Sequence, residues 1–163
     1  MKEQLLGLVE EGFQAAAWHG PNLRRSLSGV SAEGASWRPG KNRHNIWEIA
    51  VHAAYWKYAV TKRLTGSKKH VFPEKGRNWF ARDARGLSKG EAEKKWERDL
   101  ALLAKMHKEL RGTIAKMKDA ELGGRCRGSR QTVKQNVVGI AMHDVYHAGQ
   151  IQMLRRLRGG GRG

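Results

Sequence analysis

The chain has 163 residues, 39% of them apolar and 29% charged. That balance fits one ordinary globular domain and excludes both a membrane protein and a low-hydrophobicity disordered chain. A single cysteine, Cys126, excludes an intramolecular disulfide and any cysteine-based zinc cluster. Thirty-two Lys and Arg against fifteen Asp and Glu leave a net charge of +17, an excess that draws polyanions. Yet the basic residues are spread over loops (Arg38, Lys41, Arg43; Lys68, Lys69; Arg125, Arg127, Arg130) and over helix surfaces. No helix-turn-helix, aromatic stacking motif or zinc finger accompanies them, so specific nucleic-acid binding is not expected. Charges interrupt the apolar residues of the first ten positions, and no run of about 18 apolar residues exists to span a bilayer. The expectation is a cytoplasmic protein with no membrane partner.

Helical periodicity dominates, and no segment alternates as a strand. A first helix over about residues 2–29 is predicted from Leu5, Val9, Phe13, Ala16, Leu23 and Leu27, kinked at Pro21 after Gly20. The second opens on the capping-box spacing Asn45-Ile46-Trp47-Glu48 and stops near Gly66. Residues 66–87 form the longest connection, long enough to carry the chain back across a bundle so that the second and third helices run parallel. The third helix starts at a second capping box, Ser88-Lys89-Gly90-Glu91, with Ala92, Trp96, Leu100, Leu103, His107, Leu110, Ile114 and Met117 as its inner stripe. Thr132-Val133-Lys134-Gln135 caps a fourth helix that runs to about Leu157. The expected architecture is all-α: a four-helix bundle over residues 1–158 with a long connection between helices 2 and 3, followed by a flexible Gly/Arg tail at 159–163.

The histidines carry the chemistry. His143 and His147, in His143-Asp144-Val145-Tyr146-His147, stand at i and i+4 on one helix face, the spacing that chelates a single divalent ion. A zincin site is excluded, because its third ligand lies downstream and the sixteen residues after His147 contain no His, Asp or Glu. With Ile140 as the centre of the apolar stripe, Val133, His143, His147, Ile151 and Leu154 fall within about 60° of it at about 100° per residue, so both imidazoles point inward. Unpaired imidazoles are costly to bury, which favours a shared metal over two separately satisfied core histidines. A third ligand must come from another helix. His52 shares a face with Ile49, Trp56 and Ala59, and His107 sits mid-stripe in the third helix; both are open by spacing. His19, near the kink, is a weaker option, and His44 and His70 fall in loops or at a helix start.

These segments resemble the DinB superfamily of four-helix-bundle metalloproteins, the damage-inducible bundle proteins unrelated to the polymerase that shares the name. The resemblance lies in Ile46-Trp47-Glu48-Ile49-Ala50-Val51-His52 with Tyr55-Trp56 and Arg63-Leu64-Thr65-Gly66, and in the stretch from Gly139 through His143 and His147 to Ile151. Trp18-His19-Gly20-Pro21 and Trp37-Arg38-Pro39 extend it over nearly the whole chain. In that family one histidine of the second helix and two of the fourth bind a divalent ion, nickel or zinc. By position the resemblance implies His52, His143 and His147 as metal ligands, and so selects His52 over His107. Glu48, Asp144 and Tyr146 are candidates for groups surrounding the ligands.

Three imidazoles leave coordination positions open, the layout of a catalytic rather than a structural metal. Some proteins similar to this family transfer low-molecular-weight thiols such as bacillithiol or mycothiol, so the resemblance implies a metal-dependent enzyme, in one reading a thiol-dependent S-transferase. A metal-dependent hydrolase is the alternative among enzymes. A non-enzymatic basic binding protein of the stress response is the alternative outside them. Pairing of bundles through helix faces in the family, with spare tryptophans at Trp18, Trp37 and Trp79, predicts a homodimer.

Overall fold

The computed structural model describes residues 1–67, 71–126 and 128–159; Lys68, Lys69, His70, Arg127 and the tail beyond Gly159 lie outside them. The described residues are all-helical, with α1 (Lys2–Phe13), α2 (Leu23–Leu27), α3 (Ala32–Ser36), α4 (Ile46–Thr65), α5 (Lys89–Lys116) and α6 (Val133–Arg158), plus one 3-10 turn at Asp119–Glu121. None of these helices is long and apolar enough to cross a membrane.

The single first helix expected over residues 2–29 is instead two, α1 and α2, and the short α3 follows them. Helix α1 ends at Phe13, with Gln14 at φ −147°. Gly20 then adopts φ 103°, and Pro21 has no N–H with which to continue a helical ladder. Asn22 rebuilds a helix: its side chain accepts from Arg25 N as the cap of α2 and donates to the carbonyl of Ala15. Ser31 caps α3 in the same way through Gly34 N. The apolar repeat is real, but it continues across the break between α1 and α2.

The other helices begin and end at their sequence signals. All three capping boxes close: Asn45 with Glu48, Ser88 with Glu91, and Thr132 with Gln135. Gly66 takes the left-handed conformation, φ 64°, and ends α4. Helix α4 packs against α3, α5 and α6, and α1 packs against α5 and α6. Ala50, Ala53 and Ala54 are fully buried and let neighbouring helices approach α4 closely.

Two apolar clusters fill the interior. One gathers Leu27, Ile46, Trp47, Phe72, Phe80, Trp96 and Leu103; the other gathers Leu5, Val9, Leu110, Ile114, Val137 and Ile140. A layer of polar side chains from α1, α4, α5 and α6 is buried with them: Lys57, His107, Asp144 and His147, with Glu10 half-buried. Lys57 and Asp144 are both fully buried and form an ion pair. The Lys57 ammonium also lies 4.9 Å over the Phe13 ring, which stacks on His107 at 3.8 Å, and His107 Nε2 is 3.3 Å from Glu10 Oε1. Burial pushes the Asp144 carboxyl upward while the Lys57 ammonium pulls it back. Gly12 makes room for this layer: a Cβ there would sit 2.8 Å from the Ala141 carbonyl oxygen and 3.5 Å from the Asp144 Cβ.

Candidate metal centre

His52 stands in the second turn of α4, and His143 and His147 on successive turns of α6; the two helices pack together. His52 and His147 are buried and His143 is half-buried. His143 Nε2 lies 3.1 Å from His52 Nε2 and 3.1 Å from His147 Nε2. The three ligand atoms all lie within 4.8 Å of one another.

The outer nitrogens fix the tautomers. His52 Nδ1 is 2.9 Å from the carbonyl oxygen of Asn78, which can only accept, so this nitrogen carries the proton. His147 Nδ1 donates likewise to Gln150 Oε1 at 2.6 Å. Both Nε2 atoms therefore present lone pairs to the common centre. His143 Nδ1 is buried without a hydrogen-bond partner. A proton on His143 Nε2 could satisfy only one of its two neighbours and would leave the other's lone pair without a donor. A cation at the centre satisfies all three. Metal–nitrogen bonds of about 2.0–2.1 Å place adjacent nitrogens about 2.8–3.4 Å apart for angles between right and tetrahedral, so the 3.1 Å spacings of His143 to its two neighbours fit.

Electrostatics keeps the rings neutral. Burial, only partly offset by the Asn78 carbonyl, pushes the His52 imidazole down to about 4. Burial and then the neighbouring imidazoles push His143 down to about 3. His147 is lowered as well, mainly by burial, with Gln150 opposing. Neutral imidazole is the form that ligates.

An aromatic wall holds His52. Trp79 stacks on it with ring centroids 3.8 Å apart and planes 10° apart, and His44 stacks on the same indole at 3.6 Å and 5°. Trp56 Nε1 donates to Asn78 Oδ1, so the residue that receives the His52 proton is itself anchored to α4. Asn78 holds φ 70°, a left-handed conformation that Asn tolerates better than most residues. None of these contacts follows a helical period, and Asn78 and Trp79 were invisible to pattern reading for that reason. Gln150 stands at i+3 from His147, a spacing that could have flagged it.

The three candidates around the ligands have distinct places. Glu48 accepts from Arg38 Nη2 at 2.7 Å and Nη1 at 2.8 Å, and its Oε2 is 3.0 Å from His44 Nδ1. Although burial opposes it, the Arg38 and His44 contacts hold its carboxyl below the usual range. It reaches His52 through the His44–Trp79 stack rather than by direct contact. Asp144 turns to Lys57, in the buried polar layer. Tyr146 is exposed, its ring centroid 5.1 Å from that of His147. His107 is engaged with Phe13 and Glu10, and His19 lies exposed in the turn before α2.

A cavity of about 120 Å³ reaches the cluster at His143, between α4 and α6. The family model of the DinB superfamily matches residues 15–151, a span holding all three histidines, Glu48, Trp79 and Gln150. No curated protein and no solved structure matches the chain. Matched over most of its length, the chain belongs to the DinB superfamily.

Proposed function

We propose that His52, His143 and His147 hold one divalent ion, nickel or zinc, and that the protein is a metal-dependent enzyme acting on a small molecule. The observation that carries this reading is the convergence of three Nε2 atoms, two of them with their protons committed to Asn78 and Gln150. On this reading α1, α4, α5 and α6 are the helices of the superfamily's four-helix bundle, and the residues between α4 and α5 form the long connection that delivers Asn78 and Trp79 to the site.

Three protein ligands leave the ion open to a further group, and a divalent ion there supplies Lewis acidity to it. The chain's own side chains do the rest. Asn78 and Gln150 hold the imidazole protons on the outer nitrogens, Trp79 fixes the plane of His52, and His143 faces the cavity through which a small molecule enters. A low-molecular-weight thiol is the co-substrate we favour, giving thiol-dependent S-transfer; metal-dependent hydrolysis uses the same open position. Elemental analysis of untagged protein that has never met a nickel column tests the reading, with about one nickel or zinc per chain expected. A metal-free protein that refuses both ions in later titration would overturn it.

We also propose a homodimer. Met142, Tyr146, Met153 and Leu157 are all exposed, and at about 100° per residue they fall within about 60° of one another on the outside of α6. Trp18 is fully exposed as well, whereas Trp37 and Trp79 pack against the core. Sedimentation should give twice the chain mass, and Met142→Lys with Met153→Lys should give the monomer.

A further inference from the structure

The cavity at His143 is built for one kind of ligand. Its lining includes Trp56, Arg63, Asn136, Gly139 and His143. Gly139 is an exposed residue inside α6, one turn before His143 and on its face, and a Cβ there would meet nothing within 4 Å. Glycine is the least favourable helix-interior residue after proline, and no close approach requires it here. Its effect is to leave open the space above the His143 ring. Arg63 stands on the opposite wall. Its guanidinium lies 5.5 Å over the Trp56 ring and bonds Asn136 Oδ1 at 3.4 Å. Among the described residues it has no carboxylate partner, whereas Arg38, Arg82 and Arg111 each pair with one. A half-buried guanidinium held over an indole in the lining of a cavity is a ready receptor for a carboxylate. The volume, about 120 Å³, equals about four waters at roughly 30 Å³ each and limits the occupant to a few heavy atoms.

We infer that this cleft takes a small carboxylate ligand, one end at the open metal position beside His143 and its carboxylate paired with Arg63. The inference rests on the metal reading above and adds to it the substrate class and the residue that selects it.

The test uses the full-length protein loaded with cobalt(II), whose visible spectrum reports both metal uptake and ligand entry. 3-Mercaptopropionate and 3-mercapto-1-propanol are titrated in parallel; both present sulfur, and they differ in the distal carboxylate. The ratio of their affinities isolates the anionic group, and comparing that ratio between variants cancels any preference intrinsic to the ion. The wild-type protein should favour the carboxylate. Arg63→Gln should cut the ratio by about tenfold at unchanged cobalt uptake, and Arg63→Lys should restore part of it. Gly139→Leu should weaken both ligands while cobalt still binds. An affinity ratio equal in wild type and Arg63→Gln, or undiminished ligand entry in Gly139→Leu, overturns the carboxylate cleft and leaves the metal reading standing. A wild-type protein that takes up no cobalt overturns the metal reading and the cleft with it.

Discussion

Trp79 lies flat against His52, planes 10° apart, although the two residues come from different parts of the chain and only His52 belongs to a helix. The indole is sandwiched from its other face by His44, whose Nδ1 meets Glu48. Trp79 thus restrains the one histidine of the cluster that α4 contributes. Trp79→Ala should lower metal affinity by about 10–100-fold, the range for losing a group that orients a ligand, with the number of ions per chain unchanged. Competition against a chromophoric chelator measures it; wild-type affinity would show that the stack is packing only.

The buried pair of Lys57 and Asp144 joins α4 to α6 next to the histidine cluster. Removing one partner strands a charge in the core, so Lys57→Met or Asp144→Asn should each cost about 3–5 kcal/mol in urea unfolding of the metal-free protein. Lys57→Met with Asp144→Asn should cost less than the two single changes summed. Additive losses would mean that the two charges do not compensate one another.

Helix α1 offers a matched pair of glycines. Gly12→Ala places a methyl 2.8 Å from the Ala141 carbonyl, backbone that cannot step aside, and should destabilise by about 1–3 kcal/mol. Gly7→Ala meets nothing within 4 Å and should gain up to about 1 kcal/mol from helix propensity. Thermal melts of both variants against wild type decide it, and equal shifts would contradict the close approach of α1 to α6.

Acid should destabilise the metal-free protein in a defined window. Burial, and then the Lys57 charge, push His107 down to about 4, while an unfolded histidine titrates near ~6.5. Between those values the unfolded chain binds a proton that the folded one refuses, so stability is full above ~6.5 and falls as pH drops toward 4. At pH 5 the loss from this residue is on the order of 2 kcal/mol. His52 and His143 shift with the same sign, so the total is larger. His107→Phe should make the drop between pH 7 and pH 5 shallower; an unchanged slope would place the proton uptake elsewhere.

Much of this was legible in the sequence because it depends on local spacing. Asn45, Ser88 and Thr132 announce their helices through bonds three residues away, and His143 and His147 through one helical turn. The first helix misled because Leu23 and Leu27 keep the apolar period of Leu5 and Val9 while the helix between them is interrupted; burial pattern alone does not register Gly20-Pro21 as a break. The surroundings of the ligands were hidden for a related reason. Asn78 reaches His52 by a backbone carbonyl, which every residue type carries, and Asp144 reads as a neighbour of His143 in sequence although the helix turns it toward Lys57.

The most direct test of the metal assignment is a zinc titration of the metal-free wild-type protein and of two variants, His52→Ala and His107→Ala. About one tightly bound ion per chain is expected for the wild type and for His107→Ala, and none for His52→Ala. A fully occupied His52→Ala protein beside an empty His107→Ala protein would contradict the assignment and move the third ligand from α4 to α5.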